Sequence, residues 1–460
     1  MSSASDTIAA VATPPGVGGV AIVRVSGPLV QNVINEMILS HRSPLLSPRF
    51  LISASVISSI SKEIIDTGLV VFFCAPKSFT GEDVLEFHLH GSVLVSQLVL
   101  RSLANLGVRL AEPGEFTKRA FLNGKLDIFQ VEAIGQVISA ASERGLAVAH
   151  EHLAGKLSLM VNQIAEPLRD ILAEIEAALD FPEEDIELIA PKRLALNLSG
   201  VIATVSRLIS TYSRGRVLRE GIKILLCGVP NVGKSSLLNK ILGIERAIVS
   251  DRAGTTRDFI EETCRYNGFS FTLCDAAGIR DSDDPIEQAG VLRTRNRFQW
   301  ADIIVLIYDG SLQKVDSATL RLAEELNHSA RPVISVVNKS DLLHQKHNFT
   351  NDDIIFVSAT TGSGINELLD SVILKILANA KDQQDLSTSA VVITEERHHH
   401  LLVRCCDALN RTHSALLEEL PLEVVSAELR HALQQISELV GLTDNEDILG
   451  RIFSRYCIGK

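Results

Sequence analysis

The residues with the clearest chemical purpose are Gly228-Val-Pro-Asn-Val-Gly-Lys-Ser235, a G-x-x-x-x-G-K-S loop set directly after the apolar run Lys223-Ile-Leu-Leu-Cys227. The helical run Ser235-Ser-Leu-Leu-Asn-Lys-Ile-Leu242 follows it. Glycines at such a strand-to-helix turn let backbone N–H groups close around phosphate oxygens at a helix N-terminus. Through Asn231, Val232, Gly233, Lys234, Ser235 and Ser236 the loop is predicted to wrap a nucleotide. Lys234 then reaches the β- and γ-phosphates and the Ser235 hydroxyl ligates Mg²⁺.

A phosphate loop alone does not separate ATPases from GTPases. Asn338-Lys339-Ser340-Asp341 follows the apolar run Val333-Ile-Ser-Val-Val337. A carboxylate at Asp341 can accept both the N1–H and the N2–H₂ of guanine, whereas adenine offers no matching donor pair. Asn338 and Lys339 brace the loop and the ring. Ser358-Ala359-Thr360, after Ile354-Ile-Phe-Val357, is placed to give a backbone N–H to guanine O6. Asp275-Ala276-Ala277-Gly278 ends the run Phe271-Thr-Leu-Cys274. Asp275 is predicted to hold Mg²⁺ through water and the Gly278 N–H to sense the γ-phosphate. Thr255 and Thr256 lie between the two motifs, where a switch threonine completes the metal shell. Taken alone, N-K-x-D reads equally as a polar loop, but ordered motifs at successive strand ends predict a GTP-dependent switch.

Hydrolysis needs more. Ras-like enzymes place a water-orienting Gln after D-x-x-G, and here that position is Ile279. No arginine-finger position is evident, and the nearby acids of Arg280-Asp-Ser-Asp-Asp-Pro-Ile-Glu287 cannot neutralise developing negative charge, so a cation must. Asn231 offers a route, its amide oxygen ligating a monovalent cation near the phosphates. It also reads as a simple brace for the loop, and Glu287 as a solvated switch residue.

The elements that must position these groups follow from pattern. Residues 1–120 read as α+β, with strand-like runs Ile8–Val11, Val20–Val25, Leu51–Val56 and Gly68–Phe73. Residues 121–215 take helical spacing, from Leu126 to Phe181 and again from Pro191 to about Ser213, as in a bundle. Residues 216–380 alternate strand and helix, as a nucleotide-binding α/β domain does. Residues 381–460 begin with a polar linker and return to helical spacing from Glu395 to Phe453. The fold class is therefore multidomain α+β and α/β: an N-terminal α+β domain and a helical bundle, into which a Ras-like P-loop G domain is inserted.

At 460 residues the chain is long enough for about three domains, and 46% apolar content fills large cores. A net charge of −12 argues against a protein that gathers nucleic acid by bulk charge. Seven scattered cysteines suit reduced thiols rather than a disulfide frame. No basic leader precedes an apolar stretch, and no run of about 18 uncharged apolar residues offers a membrane span. A cytoplasmic protein is expected.

Further motifs lie outside the G motifs: Asp6-Thr-Ile-Ala, Ala12-Thr-Pro-Pro-Gly, Arg24-Val-Ser-Gly27, Ser78-Phe-Thr-Gly-Glu-Asp-Val-Leu-Glu86, His90-Gly91, Pro113-Gly-Glu-Phe-Thr-Lys-Arg-Ala-Phe-Leu-Asn-Gly-Lys-Leu-Asp127 and the terminal Cys457-Ile-Gly-Lys460. On these the chain resembles, over essentially its whole length, the MnmE (TrmE) family of tRNA-modification GTPases. The resemblance implies an N-terminal domain that dimerises and binds a tetrahydrofolate derivative (5,10-methylene- or 5-formyl-), with Arg24, Glu86, Lys125 and Lys460 at the folate. It implies a homodimer whose G domains meet across K⁺, touched by Asn231, Ser250, Arg252 and Thr255. Ser235 and Thr256 would hold Mg²⁺, and Asp251, Ala253 and Gly254 join the GTP-binding segment. Glu287 would position water through a relay and Arg280 would steady the switch, while Cys457 is a candidate functional thiol. The implied partner is MnmG, an FAD protein. The implied product is an aminomethyl or carboxymethylaminomethyl group on C5 of the wobble uridine of certain tRNAs. Departures are Asp275-Ala-Ala-Gly278 for D-T-A-G, His90-Gly91-Ser92 for H-G-G, and Tyr456 before the final Cys.

Other features weigh less. His398-His399-His400 sit about 100° apart on a helix and do not converge as metal ligands. Cys405-Cys406 has the wrong spacing for zinc. Arg293, Arg295 and Arg297 fit a solvated helix, a partner face or RNA. Two rival functions stand beside the first: a ribosome-assembly or other RNA-associated regulatory GTPase, and a folate-dependent one-carbon transferase in which GTP only regulates.

Overall fold

A computed structural model describes residues 6–39, 47–180, 191–243, 261–275, 298–312, 314–327, 331–343, 354–378, 391–441, 453 and 459. The chain divides into two compact units, Met1–Gly135 with Val440–Lys460, and Gln136–Leu439.

In the first unit the elements run β1 (Ile8–Val11), β2 (Gly18–Ser26), α1 (Val30–Met37), β3 (Ile38–Leu39), β4 (Ile52–Ile57), β5 (Ile64–Phe73), β6 (Val84–Gly91), α2 (Val93–Asn105), β7 (Arg109–Leu110), α3 (Glu115–Leu122) and α4 (Ile128–Ser139). Among the described residues they build a seven-stranded sheet of order β3-β4-β5-β6-β2-β1-β7, antiparallel apart from the β1–β7 pair. Period-two alternation separates its faces. Ala9, Val23, Val25, Leu85 and Phe87 turn toward α1 and α2, whose Val30, Val33, Ile34, Met37, Val99 and Leu103 complete the core. Each fully buried Val, Leu, Ile, Met or Phe among them contributes about 1.5–3 kcal/mol. The opposite face presents Arg24, Glu86 and His88, and there Ile8 and Ala10 pack with Phe116 of α3. Strand β6, which the sequence pattern left unread, pairs with β2 and β5 and so places Glu86 opposite Arg24.

The end of the chain returns to this unit. Phe453 is buried with its ring 6.5 Å from that of Phe121. Gly459 lies so close to β1 that a Cβ there would sit 2.3 Å from the Val11 carbonyl oxygen.

The second unit holds α5 (Glu143–Leu153), α6 (Lys156–Asp180), α7 (Pro191–Ser210), α8 (Tyr212–Glu220), β8 (Ile222–Cys227), α9 (Lys234–Leu242), β9 (Glu261–Tyr266), β10 (Phe269–Asp275), β11 (Ile303–Asp309), α10 (Ser317–Asn327), β12 (Val333–Asn338), β13 (Ile354–Phe356), α11 (Ile365–Ala378), α12 (Glu396–Leu417) and α13 (Leu422–Leu439). Helices α6, α13, α12 and α7 pack in that spatial order. The buried stripe of α6 is Leu157, Val161, Ile164, Ala165, Leu168, Ile171 and Ile175, the spacing of an amphipathic helix. The helical spacing read from Glu395 to Phe453 is taken up, among the described residues, by two helices, α12 and α13. Glu419 takes φ +53° and Pro421 has no N–H to continue a helix. The stretch Pro191–Glu220 is long and apolar enough to cross a membrane by length and composition alone. Its Leu194, Leu198, Val205 and Leu208 are buried, and α7 lies against α12.

Strands β8–β13 form a six-stranded sheet among the described residues, of order β13-β12-β11-β8-β10-β9, with β9 alone antiparallel to its neighbour. Both faces are covered, as parallel sheets require. Ile224, Leu226, Ile303, Val305 and Ile307 face one core, and Leu225, Cys227, Ile304 and Leu306 the other. The chain enters this sheet through α8 and leaves it at Val392–Thr394, and the two crossings are clasped. Ile393 N donates to Thr211 Oγ1 at 3.1 Å, and a Cβ on Gly215 would meet the Ile393 oxygen at 2.0 Å.

Candidate functional site

In an open parallel sheet, ligands collect beyond the carboxyl ends of the strands where the strand order reverses. Here that point lies beside β8, whose neighbours are β10 and β11. The phosphate loop leaves β8 and opens α9, so the helix's unpaired N–H groups and dipole point at whatever the loop holds. Gly233 adopts φ +93° and a Cβ there would lie 2.3 Å from Asn338 Nδ2, so glycine alone fits. Asn231 also takes a left-handed backbone, at φ +65°. Lys234 is buried and its Nζ donates to the Gly228 and Val229 carbonyls at 2.8 and 2.9 Å. Ser235 Oγ donates to Asp275 Oδ2 at 3.0 Å, which puts a hydroxyl and a carboxylate together at the helix N-terminus. That donor set fits Mg²⁺, a hard cation that takes oxygen ligands and retains water. Ser236 is exposed in the same first turn.

Asn338 binds the site together. Its Nδ2 donates to the Val232 carbonyl at 2.9 Å, and its Oδ1 accepts from the Ala359 N–H at 3.1 Å. The Ala359 N–H is thus engaged by the guanine motif itself, which fixes the backbone of Ser358–Thr360, the segment expected to serve guanine O6. Lys339, at φ +61°, donates to the Asn231 carbonyl at 3.1 Å. Ser340 and Asp341 form a 3₁₀ turn with Leu342, and the Ser340 N–H donates to the Val357 carbonyl at 3.1 Å. Buried Ser358 donates to Asp341 Oδ1 at 2.5 Å and so aims an exposed carboxylate. Thr360 offers its carbonyl to Lys240 at 3.5 Å. The structure therefore gathers Asn231–Ser236, Asp275, Asn338–Asp341 and Ser358–Thr360 around one strand-end crevice. Ser250, Asp251, Arg252, Ala253, Gly254, Thr255, Thr256, Ala276, Ala277, Gly278, Arg280, Glu287, Cys457 and Lys460 lie outside the described residues, as do Ile279, Arg293, Arg295 and Arg297.

In the first unit, Arg24 Nε donates to Glu86 Oε1 at 2.8 Å, and His88 Nε2 lies 3.0 Å from Glu86 Oε2. The guanidinium also rests 5.7 Å from the Phe79 ring centroid and 5.8 Å from that of Phe116. Arg24 is therefore engaged in orienting Glu86 rather than standing apart as a clamp for a carboxylate tail. Lys125 Nζ donates to the Pro76 carbonyl at 3.1 Å. With Arg49, Lys77, Phe73, Ser78 and Phe79 it lines an open cleft of about 460 Å³. An aromatic wall with three cations suits a planar ring carrying carboxylates, so these residues fit a folate.

Residues that the sequence pattern did not single out include Asp309, 2.6 Å from Lys339 Nζ, and Arg119. Arg119 is buried among Asp6, Glu82 and Glu115, at 2.7, 3.2 and 3.1 Å. For Asp309 a signal existed, an acid followed by Gly-Ser at a strand end. The three histidines diverge: His398 is buried, His399 stacks on Tyr212 at 4.5 Å, and His400 faces Glu396 at 3.6 Å. Among the described residues no group of three or more His, Cys, Asp or Glu is disposed around a common metal position.

The profile of the GTP-binding protein TrmE N-terminus matches residues 7–125, and that of the MnmE helical domain matches residues 128–457. The tRNA modification GTPase MnmE of Aquifex aeolicus is 39% identical over 458 residues, covering 99% of this chain and all of that one. That of Moorella thermoacetica is 40% identical over 472 residues, covering 99% of each. Among solved structures, the G domain of the T. maritima FeoB iron transporter aligns with 34% of this chain and 98% of its own, at 25% identity and a TM-score of 0.26. With two profiles spanning nearly the whole sequence and relatives matched from end to end, the chain belongs to the MnmE (TrmE) family of tRNA modification GTPases.

Proposed function

We propose that this GTPase is a cytoplasmic homodimer that works with the FAD-dependent protein MnmG on the wobble uridine of certain tRNAs, using a tetrahydrofolate one-carbon unit. The GTPase part of the reading is supported by the crevice in which phosphate loop and guanine motif are cross-braced, with Asn231 held in a left-handed turn beside Lys234, and the tRNA part by the relatives' activity. Asp341, aimed by Ser358, accepts the donor edge of guanine. Lys234 turns from backbone carbonyls to phosphate oxygens, since an anion is a better partner for an ammonium than a peptide dipole. Ser235 and Thr256 would hold Mg²⁺ directly and Asp275 through water. Asn231 takes K⁺ with Ser250, Arg252 and Thr255 when two G domains pair. K⁺ supplies the positive charge that Ras-like switches draw from an arginine. Glu287 orders the attacking water and Arg280 steadies the segment around it. Glu86, oriented by Arg24, accepts from the pterin edge while Lys125 and the terminal Lys460 serve the carboxylate end, with Cys457 beside them.

GTP turnover is expected to be severalfold faster in K⁺ than in Na⁺ buffer and to collapse in Glu287→Ala. Equal rates in the two salts, or a normal Glu287→Ala enzyme, would sink the hydrolysis scheme. Mass spectrometry of tRNA nucleosides from a deletion strain should show the wobble uridines unmodified; intact modification there removes the tRNA role.

A further inference from the structure

Two residues of the nucleotide site hold backbone conformations that side chains rarely adopt: Asn231 at φ +65° and Lys339 at φ +61°. A left-handed backbone is disfavoured for a residue with a Cβ, least of all for Asn and clearly for Lys, so Lys339 in particular is kept there by contacts beyond itself. Lys339 Nζ spans the two segments, donating to the Asn231 carbonyl at 3.1 Å and to Asp309 Oδ2 at 2.6 Å. Asp309 ends β11, an element that neither the phosphate loop nor the guanine motif includes. Its other oxygen accepts from the Ser311 N–H at 2.9 Å and hydroxyl at 2.5 Å, so the carboxylate is fixed from both sides. The Gly310 N–H donates to the Asn338 carbonyl at 2.8 Å, and a Cβ on Gly310 would lie 2.7 Å from that oxygen. The Asp309-Gly310-Ser311 turn is thus pressed against the backbone of the guanine motif. With Asp309 12% and Lys339 30% exposed, the ion pair is partly withdrawn from water, and charge-assisted bonds of this kind are the strong ones. An ion pair that merely tied two strand ends would stop at Lys339; this one continues to the phosphate loop.

We propose that Asp309 is a positioning residue of the GTPase site, which through Lys339 sets the register between the guanine-reading loop and the phosphate loop at Asn231. The proposal rests on the guanine reading of Asn338–Asp341 and, for one of its tests, on Asn231 as a K⁺ ligand. Without the carboxylate, Lys339 loses its fixed counter-charge and neither left-handed turn is held before nucleotide arrives. Preorganisation is lost, while the donor and acceptor code for the base is untouched.

The test compares full-length wild type with Asp309→Asn, Ser311→Ala and Asp341→Asn by the release of fluorescent GDP and IDP. Asp309→Asn should release both about tenfold faster, by one common factor, as loss of a charged hydrogen bond implies. Ser311→Ala should stay within about twofold, whereas Asp341→Asn should change the ratio between the two bases. In GTP turnover, Asp309→Asn should need severalfold more K⁺ for half-stimulation and reach a near-normal rate at saturation. Adding Asp309→Asn to Lys339→Met should cause no further loss, because one acts through the other. Unchanged release rates, unequal factors for the two nucleotides, an unmoved K⁺ midpoint, or additivity with Lys339→Met would each overturn the proposal. Should wild-type turnover ignore K⁺ altogether, the cation reading falls by itself, and the release rates and the double variant decide on Asp309.

Discussion

Two groups of charge in this chain are built on opposite plans. Around Arg119 in the first unit, a guanidinium with 9% exposure meets three carboxylates and the Asp6 carbonyl, and Arg109 shares Asp6 and Glu115 with it. Around Lys234 in the second unit, an equally buried ammonium meets, among the described residues, the carbonyl dipoles of its own loop. Charge matched by opposite charge commits the chain to one geometry. Charge matched by dipoles stays available to an anion. Burial alone therefore does not distinguish an architectural cation from a working one, but the partners do.

The comparison breaks most visibly at Arg119. Arg119→Met takes the cation from Glu82 and leaves Asp6 and Glu115 to Arg109 alone, and breaking one member out of such a partly buried charge set costs about 3 kcal/mol. Denaturant unfolding should show that loss while GDP affinity holds; a wild-type midpoint would mean that the three acids do not need their cation. Lys234→Ala should do the reverse. Turnover should fall by about 10²–10³, the scale for deleting a preorganised donor, with unfolding unmoved. A destabilised Lys234→Ala chain would show that the loop bonds are structural after all.

The smallest effect is a pH dependence. Burial pushes the carboxyls of Asp6 and Glu115 up, but bonds from Arg109 and Arg119 outweigh it and leave both below the usual range. A carboxylate lowered in the folded state adds stability above its unfolded value, near 4, and surrenders it as pH falls through the folded one. Stability should run flat from neutrality to about pH 5 and decline below about pH 4, and Arg119→Met should flatten that acid limb. An identical acid limb in the variant would assign the decline elsewhere.

Local chemistry was legible in the sequence and long-range pairing was not. The phosphate loop, N-K-S-D and S-A-T each announce themselves within eight residues, and β1 coincides with the run read from Ile8 to Val11. Arg24 facing Glu86 depends on a cross-strand register 62 residues apart, and Arg119 reaching Asp6 spans 113. No window over one sequence contains such pairs. Asp309 escaped for a different reason: its partner Lys339 already had a role, and nothing in spacing shows that a lysine needs a holder.

The clasp at Thr211, Gly215 and Ile393 has a consequence for the helices on either side of it. A module that departs and rejoins its host through one narrow doorway disturbs that host no more than a short surface loop, since joining nearby ends costs little entropy. Lengthening the chain between two ends held so close leaves those helices where they are.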